Sequence, residues 1–477
     1  MSTIATVQRL AVTTITPLRI GPGGADLLDD LDYVSAERVY VIDQERMFDG
    51  LSTDRLKQAE QAAPLSQLLS PAEWQTYARY SLPNPTGRGK VPRLLSHVKN
   101  AFGQPYLPGS SLKGPIRTAL AWALLQKRAQ PVGRGDLGYN PRFADDPLMN
   151  KLLGRDPYHD LLRALQVADS GAIAPGDNLD LLRVSLYSLR GERLQPKGER
   201  WSFFVEALRP GAELSLRLRL DDYLLAPEIA RRVDMEGGDR WLRGWMGHCH
   251  AFSEEVIKYE QSFYAHYGPP ELAAFYDDLS TQAQNVVAGQ EALLQLAWGA
   301  GWLSKTVGLY LSDEELALVR EQFRLGRAGV AEFPKSRRLV ERGGGPSAPL
   351  GWVRLRLLDG GGAPSVAASP TLAGVTRPAP APVSAPSNAP LAADVPPRSL
   401  VDLGPGMVLE GTVSAIVAYG AFVDIGVGRD GLLHISQLGE RRVERVEEVL
   451  RLGQRVRVKV QHIDVAQRKI ALTMRNV

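Results

Sequence analysis

The stretch Tyr106-Leu-Pro-Gly-Ser-Ser-Leu-Lys-Gly-Pro-Ile-Arg117 combines a turn, the start of a helix and two cations. Pro108 and Gly109 favour a turn, Ser110 and Ser111 are favoured helix N-caps, and Pro115 is tolerated only near a helix start. Apolar residues then recur at helical spacing, and they are Leu112, Ile116, Ala119, Leu120, Ala123 and Leu124. The pattern therefore predicts a helix that begins here and buries one face.

Lys113 and Arg117 are four residues apart, so we expect them to share the N-terminal face of this helix. Unpaired N–H groups and the helix dipole favour an anion at that end. An ordinary capped helix with two solvated cations would show the same pattern. Between Glu73 and Asp136, however, the chain has ten lysines and arginines and no acidic residue. Such a run repels itself unless a polyanion lies against it, which favours nucleic acid.

Several motifs resemble a known protein family. "YLPGSSLKGPIRTAL" resembles the glycine-and-serine motif of the RAMP proteins (repeat-associated mysterious proteins) of CRISPR systems, and "TPLRIGPGG" resembles their first strand and glycine turn. "AWGAGWLSKTVG", "FPKSRR" and "PLGWVRL" resemble the second half of the subunit-five family of the Csm series in type III-A effectors. The resemblance spans Ile4 to Leu358 and implies an α+β body of ferredoxin-like (split βαβ) domains in two parts, residues 1–190 and 191–359.

Three local patterns in this body give further predictions. Ser70-Pro-Ala-Glu73 is a capping box that begins a helix. "WSFFVEAL-RPG-AELSLRLRL" predicts a hairpin around Pro210-Gly211, whose leucines face inward on the second strand. "LLQLAWGAGWLSKTVGLYL" is expected to form an apolar helix interrupted by glycines, each of which costs about 1 kcal/mol relative to alanine.

Residues 360–403 are dominated by alanine, proline, serine and glycine, with no aromatic residue, so we expect a flexible linker that forms no core.

Residues 404–477 have the pattern of five short strands divided by glycine and aspartate turns, which suggests a small OB-type β-barrel. This part closely resembles the RNA-binding domain of ribosomal protein S-one. The resemblance implies that RNA crosses Tyr419, Phe422, His434, Asp464 and Arg468. Exposed aromatic faces stack bases at about 1 to 3 kcal/mol each.

The candidate RNA contacts of the body come from the helix start and from two basic segments, "GRGK" and "FPKSRR". They are Arg88, Lys90, Ser110, Ser111, Lys113, Arg117, Lys335, Arg337 and Arg338. His97 and Lys99 leave a second possibility open, since such a pair serves general acid–base cleavage of RNA without a metal. No histidine, cysteine or carboxylate set has recognisable ligand spacing, so we expect no metal and no cofactor.

Composition limits the possible kinds of protein but does not identify a function. The net charge is +3, and a single cysteine excludes an internal disulfide and a multi-cysteine zinc site. No apolar run reaches membrane-spanning length and the first residues do not resemble a signal peptide, so no membrane contact and a cytoplasmic location are expected.

The resemblance implies a non-catalytic, RNA-binding subunit of a type III-A effector. It would cap the filament of backbone subunits at the 3′ end of the CRISPR RNA and aid maturation of that RNA and antiviral defence. The implied partners are CRISPR RNA, target RNA and other Csm subunits, chiefly the backbone subunit. Two alternatives stay open: a metal-independent endonuclease that processes CRISPR RNA, and a scaffold that recruits a host trimming nuclease through the barrel.

Overall fold

The structure is a computed structural model that describes residues 5–24, 26–61, 63–128, 130–326, 332–358, 407–417, 420–425, 430–434, 437, 449–451, 454–464 and 469–474. The chain divides into two compact units, residues 1–365 and residues 366–477, which are called the body and the barrel below. The predicted boundaries at 359/360 and 403/404 lie outside the described residues and stay predictions.

The described residues of the body form three sheets and a set of helices. Its strands are β1 (Thr6–Thr14), β2 (Leu27–Leu28), β3 (Tyr33–Ser35), β4 (Arg38–Ile42), β5 (Ala78–Pro83), β6 (Arg93–Leu95), β7 (Leu165–Val167), β8 (Leu179–Arg190), β9 (Arg193–Pro196), β10 (Ser202–Leu208), β11 (Glu213–Leu220), β12 (Glu291–Gln295), β13 (Ser336–Arg342), β14 (Gly345–Ala348) and β15 (Trp352–Leu358). Its helices are α1 (Gln44–Gly50), α2 (Thr53–Glu60), α3 (Leu65–Leu68), α4 (Pro71–Tyr77), α5 (Gly109–Leu125), α6 (Asp146–Leu153), α7 (Pro175–Asn178), α8 (Asp222–Leu225), α9 (Pro227–Arg232), α10 (Gly238–Arg243), α11 (Trp245–Tyr267), α12 (Pro270–Gln284) and α13 (Asp313–Phe323).

The first sheet has the strand order β12-β15-β1-β11-β7, with every neighbouring pair antiparallel. Helix α5 lies between β1 and β7 in the chain, and α11 and α12 lie between β11 and β15. The strands β15-β1-β11-β7 therefore have the order and directions of a split βαβ unit, with β12 added at one edge. This arrangement confirms the predicted α+β, ferredoxin-like character of the body.

The second sheet has the order β14-β13-β8-β10-β6-β2, and β9 pairs with β8. Its β10 is antiparallel to β8 and parallel to β6. The predicted boundary at 190/191 falls in the turn between β8 and β9, and both sheets contain strands from each side of it. The two predicted parts are thus interleaved in these sheets. The third sheet, β3-β4-β5, is a small antiparallel meander.

The hairpin predicted around Pro210-Gly211 is wrong, although both strands exist. β10 pairs with β8 and β6, whereas β11 pairs with β1 and β7, so the chain crosses from one sheet to the other at this turn. The inward positions were predicted correctly. Leu214, Leu216, Leu218 and Leu220 are buried and the residues between them are exposed, because successive side chains of a strand point to opposite faces.

The core of the body lies between the first sheet and helices α5, α11 and α12. Its largest buried side chains include Trp245, Phe252, Tyr264, Tyr276 and Trp352. The predicted buried face of α5 is confirmed for most positions, with Leu124 only half-buried. Among the helices of the described ranges, none is long and apolar enough to cross a membrane.

The predicted apolar helix over "LLQLAWGAGWLSKTVGLYL" is wrong. The segment forms β12, then turns that include the short 3₁₀ helices Leu303–Lys305 and Gly308–Tyr310. Gly299 and Gly301 have φ angles of 96° and 80°, in the left-handed region that a continuous helix cannot use. The capping box at Ser70 and Glu73 does begin a helix, α4, as predicted.

The barrel closes from five strands in the order β16-β17-β18-β20-β19, which confirms the OB-type fold. The strands are β16 (Val408–Val417), β17 (Gly420–Asp424), β18 (Asp430–His434), β19 (Arg455–Asp464) and β20 (Lys469–Thr473). Val413, Ala421, Val423, Leu433 and Val458 are among the residues of its buried core.

A buried polar network fixes the chain before α5 onto the second sheet. The carboxylate of Glu206, on β10, is fully buried; it accepts hydrogen bonds from the His97 N–H at 3.0 Å and the Tyr80 hydroxyl at 2.5 Å, and it pairs with Lys99. A buried carboxylate is tolerated only when it is satisfied in this way. The network therefore holds the segment around His97 in place.

His97 is neutral in this network and only 1% exposed. Its Nδ1 accepts a hydrogen bond from the Ile20 N–H at 3.3 Å, so the ring proton lies on Nε2 and is donated to the Tyr106 carbonyl at 3.3 Å. Burial, with help from the charges of Lys99 and Arg19, lowers the pKa of His97 to about 3.

This burial predicts a loss of stability on acidification. Unfolded histidine titrates near pH 6.5, so the unfolded body takes up a proton below that pH while the folded body does not until about pH 3. We expect the free energy of unfolding to fall by about 1.4 kcal/mol between pH 7.5 and pH 5.5 on account of His97. All eight tryptophans lie between Trp74 and Trp352, so their fluorescence in a urea titration reports on the body.

The control is His97→Gln, which is expected to be less stable at pH 7.5 but to lose about 1.4 kcal/mol less than the wild type on going to pH 5.5. Equal losses in the two proteins would mean that His97 is not buried in its neutral form.

Candidate nucleic-acid interface

A cavity of about 360 Å³, called the α5 cavity below, lies at the N-terminal end of α5. Its walls include the first three turns of that helix and the chain that begins at the end of β12. Its lining residues are Ile20, Gly21, Ser110, Ser111, Gly114, Pro115, Thr118, Gln295, Leu296, Ala297, Trp298, Ser304 and Lys305. The cavity thus joins the predicted helix start to a segment almost 190 residues further along the chain.

Close packing against β7 sets the position of α5. A Cβ atom added to Gly109 would lie 2.1 Å from the Val167 carbonyl oxygen, so only glycine fits where the helix begins. The Gly109 N–H donates to the Asp169 carboxylate at 2.8 Å. One of the free N–H groups of the helix start is therefore already satisfied by the protein.

The N-cap of α5 is Pro108, not Ser110 or Ser111 as predicted. Both serines lie in the first turn, facing the α5 cavity, and no described residue makes a hydrogen bond to either hydroxyl. Two hydroxyl groups are thus available to a ligand in the cavity, where each can donate one hydrogen bond to a phosphate oxygen.

Lys113 and Arg117 do not face the α5 cavity, which corrects the prediction that they complete its charge. They line a separate cleft of about 470 Å³ with Asp156, Asp160 and Arg163. Arg117 forms an ion pair with Asp160 there. Lys113 and Arg117 form one row at i, i+4 spacing, and the neighbouring row Ser110, Gly114 and Thr118 lines the cavity.

The positive charge beside the α5 cavity comes from other segments. Trp298 lines the cavity, and the guanidinium carbons of Arg19 and Arg338 lie 5.1 Å and 5.0 Å from the centroid of its ring. Arg338 is half-buried, and no described residue accepts a hydrogen bond from its Nε. Burial lowers the pKa of both arginines, but a guanidinium keeps its charge in proteins. Trp298 therefore holds two cations next to the cavity through cation–π contacts.

Lys305 supplies an ammonium group to the cavity wall itself. No described carboxylate pairs with it, and desolvation followed by repulsion from Arg338 lowers its pKa. An anion in the cavity would attract Lys305 and so offset that repulsion. Ser304 beside it is already used, because its hydroxyl donates to Gln295. The free hydroxyls of Ser110 and Ser111 and the ammonium of Lys305 together suit a phosphate group.

The backbone opposite α5 is strained at one residue. Ala297 has a φ angle of 68°, in the left-handed region that a residue with a Cβ atom rarely adopts. Such strain persists where the surrounding structure enforces it and is frequent at ligand sites. The strained residue itself lines the cavity and directly precedes Trp298.

The acid-free basic run is largely neutralised in the folded body. Seven of its ten cations pair with acidic residues from outside the run, and the pairs are Arg79–Asp43, Arg88–Glu37, Arg93–Asp26, Lys99–Glu206, Arg117–Asp160, Arg128–Asp136 and Arg134–Glu321. Lys90, Lys113 and Lys127 have no such partner among the described residues. Arg88 remains exposed beside its partner, and so it and Lys90 stay candidates for RNA contact.

The basic segment "FPKSRR" separates into three environments. Arg338 lies beside Trp298 as described, and Lys335 is half-buried. Arg337 is buried: its Nε lies 2.8 Å from the Glu260 carboxylate and its guanidinium carbon lies 4.2 Å from the centroid of the Phe263 ring. The prediction that Arg337 contacts RNA is therefore wrong, because its charge is used inside the body.

In the barrel, two of the five predicted RNA contacts, Tyr419 and Arg468, lie outside the described residues. The backbones of Phe422, His434 and Asp464 lie on β17, β18 and β19. In the sheet, Phe422 lies opposite Leu432 and His434 lies opposite Gly420. Along each strand, these positions alternate with residues of the buried core. Phe422 and His434 therefore lie on adjacent strands. The RNA site that the five side chains are expected to form stays a prediction.

Sequence reasoning missed Arg19, Trp298 and Lys305. The glycines around Trp298 were a usable signal, since they mark irregular chain rather than helix, but Arg19 and Lys305 belong to separate segments. Only the fold brings them beside Ser110.

Comparison with known proteins supports both units separately. Residues 11–247 match the model of the RAMP superfamily, and residues 402–475 match that of the S1 RNA binding domain. Protein tex of Bordetella pertussis is 57% identical over 78 residues, which are 16% of this chain and 10% of that protein. Polyribonucleotide nucleotidyltransferase of Blochmanniella pennsylvanica is 53% identical over 72 residues, 15% of this chain and 10% of that protein. The chain spans about a tenth of the length of these relatives.

Two solved structures share the fold of the body. A chain of a cryo-EM structure of a Csm–crRNA–target RNA ternary complex in a type III-A CRISPR-Cas system has a TM-score of 0.56 at 24% identity, covering 74% of this chain and 100% of that chain. The crystal structure of Csm5 from T. onnurineus has a TM-score of 0.50 at 24% identity, covering 72% of this chain and 99% of that one. The protein therefore joins a body that matches the RAMP superfamily model and has the fold of Csm5 to a C-terminal part that matches the S1 RNA binding domain.

Proposed function

We propose that this protein is a non-catalytic, RNA-binding subunit of a type III-A CRISPR effector complex in the cytoplasm. It caps the backbone filament at the 3′ end of the CRISPR RNA and aids maturation of that RNA and antiviral defence. The observation that carries the proposal is the α5 cavity, in a body whose fold is that of Csm5. The cavity offers two hydroxyls and an ammonium group that have no partner among the described residues. Its partners are CRISPR RNA, target RNA and other Csm subunits, chiefly the backbone subunit.

The α5 cavity suits one backbone phosphate of an RNA strand. Ser110 and Ser111 would donate hydrogen bonds to phosphate oxygens, and Lys305 would supply a charge-assisted contact that is stronger than a neutral one. Arg19 and Arg338, held on Trp298, would add positive potential without direct contact. None of these groups reads a base, so the cavity itself would hold guide RNA regardless of sequence.

The barrel would provide a second, independent contact with RNA. Its S1 match and its closed five-stranded fold support single-strand binding, in which bases stack on aromatic side chains with little sequence preference. The RNA it would bind is either the unprotected tail of the guide or the target. Two linked contacts on one strand raise the apparent affinity well above that of either one.

The endonuclease alternative has little support in the body. His97 is buried and both ring nitrogens make hydrogen bonds to the backbone, whereas a general acid or base must reach the proton that it transfers. Lys99 is paired with Glu206. Recruitment of a trimming nuclease has no feature of the described residues in its favour and forms no part of the proposal.

The α5 cavity can be tested by comparing Lys305→Ala with Lys113→Ala. Lys305 lines the α5 cavity, whereas Lys113 has the same charge but faces the other cleft. We therefore expect Lys305→Ala to weaken binding of single-stranded RNA about tenfold. Lys113→Ala should have little effect. The slope of log affinity against log salt should become shallower by about 0.7 for Lys305→Ala, as for one lost phosphate contact. The measurement is fluorescence anisotropy with the full chain at a series of salt concentrations.

The same comparison in a Phe422→Ala, His434→Ala background prevents the barrel from masking the body. If Lys113→Ala weakened binding and Lys305→Ala did not, the RNA would follow the other face of α5 and the proposed site would be wrong.

The barrel can be tested with the double variant Phe422→Ala, His434→Ala. Loss of one stacked base should cost about 1 to 3 kcal/mol, which is a weakening of fivefold or more in a filter-binding titration at fixed salt. The control is Tyr223→Ala, which removes an exposed aromatic ring from the body. Unchanged affinity in the double variant, with the barrel still folded, would contradict the assignment of these residues.

A further inference from the structure

A second pocket of the body has largely apolar walls and shares Lys305 with the α5 cavity. It has a volume of about 350 Å³ and lies between the segment 132–149, which includes the start of α6, and the segment 302–325, which includes α13. Its walls include Val132, Leu148, Met149, Trp302, Val307 and Phe323. Pockets of this size and character bind flat or apolar groups of small ligands.

The wall formed by Trp302 is rigid. A Cβ atom added to Gly308 would lie 1.9 Å from the Trp302 ring, so the indole packs directly on the backbone at that glycine. The Phe333 ring meets Trp302 edge to face at a centroid distance of 5.0 Å. The pocket is therefore formed before any ligand binds, which lowers the entropy cost of binding.

One turn of chain separates the two cavities. Trp302 lines the apolar pocket, Ser304 lines the α5 cavity, and Lys305 lines both. The turn Leu303–Lys305 is a 3₁₀ helix, in which three residues rise about 6 Å. The two cavities share this short turn, so neighbouring groups of one ligand can reach both.

The pocket carries two charged groups in its lining. Lys305 is one, and the exposed carboxylate of Asp145 is the other; neither has a partner among the described residues. An ammonium on the side of the α5 cavity suits a phosphate. A carboxylate suits an N–H donor, such as the exocyclic amine on the edge of adenine, cytosine or guanine.

We propose that the apolar pocket binds the base of the nucleotide whose phosphate occupies the α5 cavity, with preference for a base that carries an exocyclic amine. The inference rests on the proposed function, since it places phosphate and base of one residue in adjoining sites. Apolar walls around an aromatic ring suit the faces of a base, and Asp145 suits its edge. An apolar side chain of a partner protein would fill the walls but leave both charges unused, so a base accounts for more of the pocket.

Two variants test the pocket in the full chain. Ala144→Leu adds bulk to its lining, and Asp145→Ala removes the carboxylate from an exposed position without disturbing the core. The probes are oligoadenylate, oligouridylate and an abasic ribose-phosphate oligomer of equal length, measured by fluorescence anisotropy at fixed salt. The matched control is Ala72→Leu, at an exposed alanine of α4.

We expect Ala144→Leu to weaken oligoadenylate binding about tenfold and to leave the abasic oligomer unchanged. Asp145→Ala should weaken oligoadenylate several-fold and leave oligouridylate unchanged, because uracil has no exocyclic amine. Every variant is made in the Phe422→Ala, His434→Ala background, so that RNA binding by the barrel does not mask a change in the body. Ala72→Leu should bind all three probes like this background protein.

Other outcomes would overturn the inference and can be told apart from failure of the proposed function. If Lys305→Ala weakens every probe while Ala144→Leu and Asp145→Ala weaken none, the phosphate site stands and the base pocket does not exist. If Ala144→Leu instead weakens binding of purified Csm subunits and leaves RNA affinity unchanged, the occupant is a protein. If Lys305→Ala changes nothing for any probe, the proposed phosphate site fails by itself.

Discussion

The close packing of Gly109 against the backbone of β7 is the constraint on which the candidate site depends. Because no side chain fits between the helix start and the Val167 carbonyl, α5 begins directly on the sheet and its first turn points into the space beside Trp298. The buried stripe of α5 then fixes its rotation, so that Ser110 and Ser111 face the cavity while Lys113 and Arg117 face away. A larger residue at position 109 would shift every group on that wall.

Charge along the sequence is a poor guide to charge in the fold. The basic run between Glu73 and Asp136 looked like a site for a polyanion, yet most of its cations pair with acidic residues that the fold brings from elsewhere. Arg337 is an extreme case, since it is buried against Glu260. The charges that matter at the cavity, on Arg19, Lys305 and Arg338, come from three segments, and none of them forms an ion pair within the described residues.

Sequence reasoning predicted local structure and fold better than the site. The alternation of leucines on β11, the buried face of α5 and the five strands of the barrel depend on short-range periodicity, which the sequence contains directly. The pairing of β10 and β11 with strands of different sheets depends on long-range contacts, and the predicted hairpin missed it. The apolar segment around Trp298 was mistaken for a helix, because apolar content alone does not distinguish a buried helix from a strand followed by tight turns.

Only the local part of the site could be predicted, because its other residues are brought together by long-range contacts. Ser110 and Ser111 were found from a local motif, whereas their partners Trp298 and Lys305 could be placed only by the fold. We propose that RNA enters the body at this junction and that the barrel binds single-stranded RNA separately. Ultraviolet cross-linking of the protein with CRISPR RNA and the other Csm subunits, followed by mass spectrometry of the attached peptides, tests it most directly. Nucleotides near the 3′ end are expected to attach to body peptides containing Trp298, Trp302 or Ser110. Cross-links confined to the barrel, or to peptides of the cleft around Asp156 and Arg163, would contradict it.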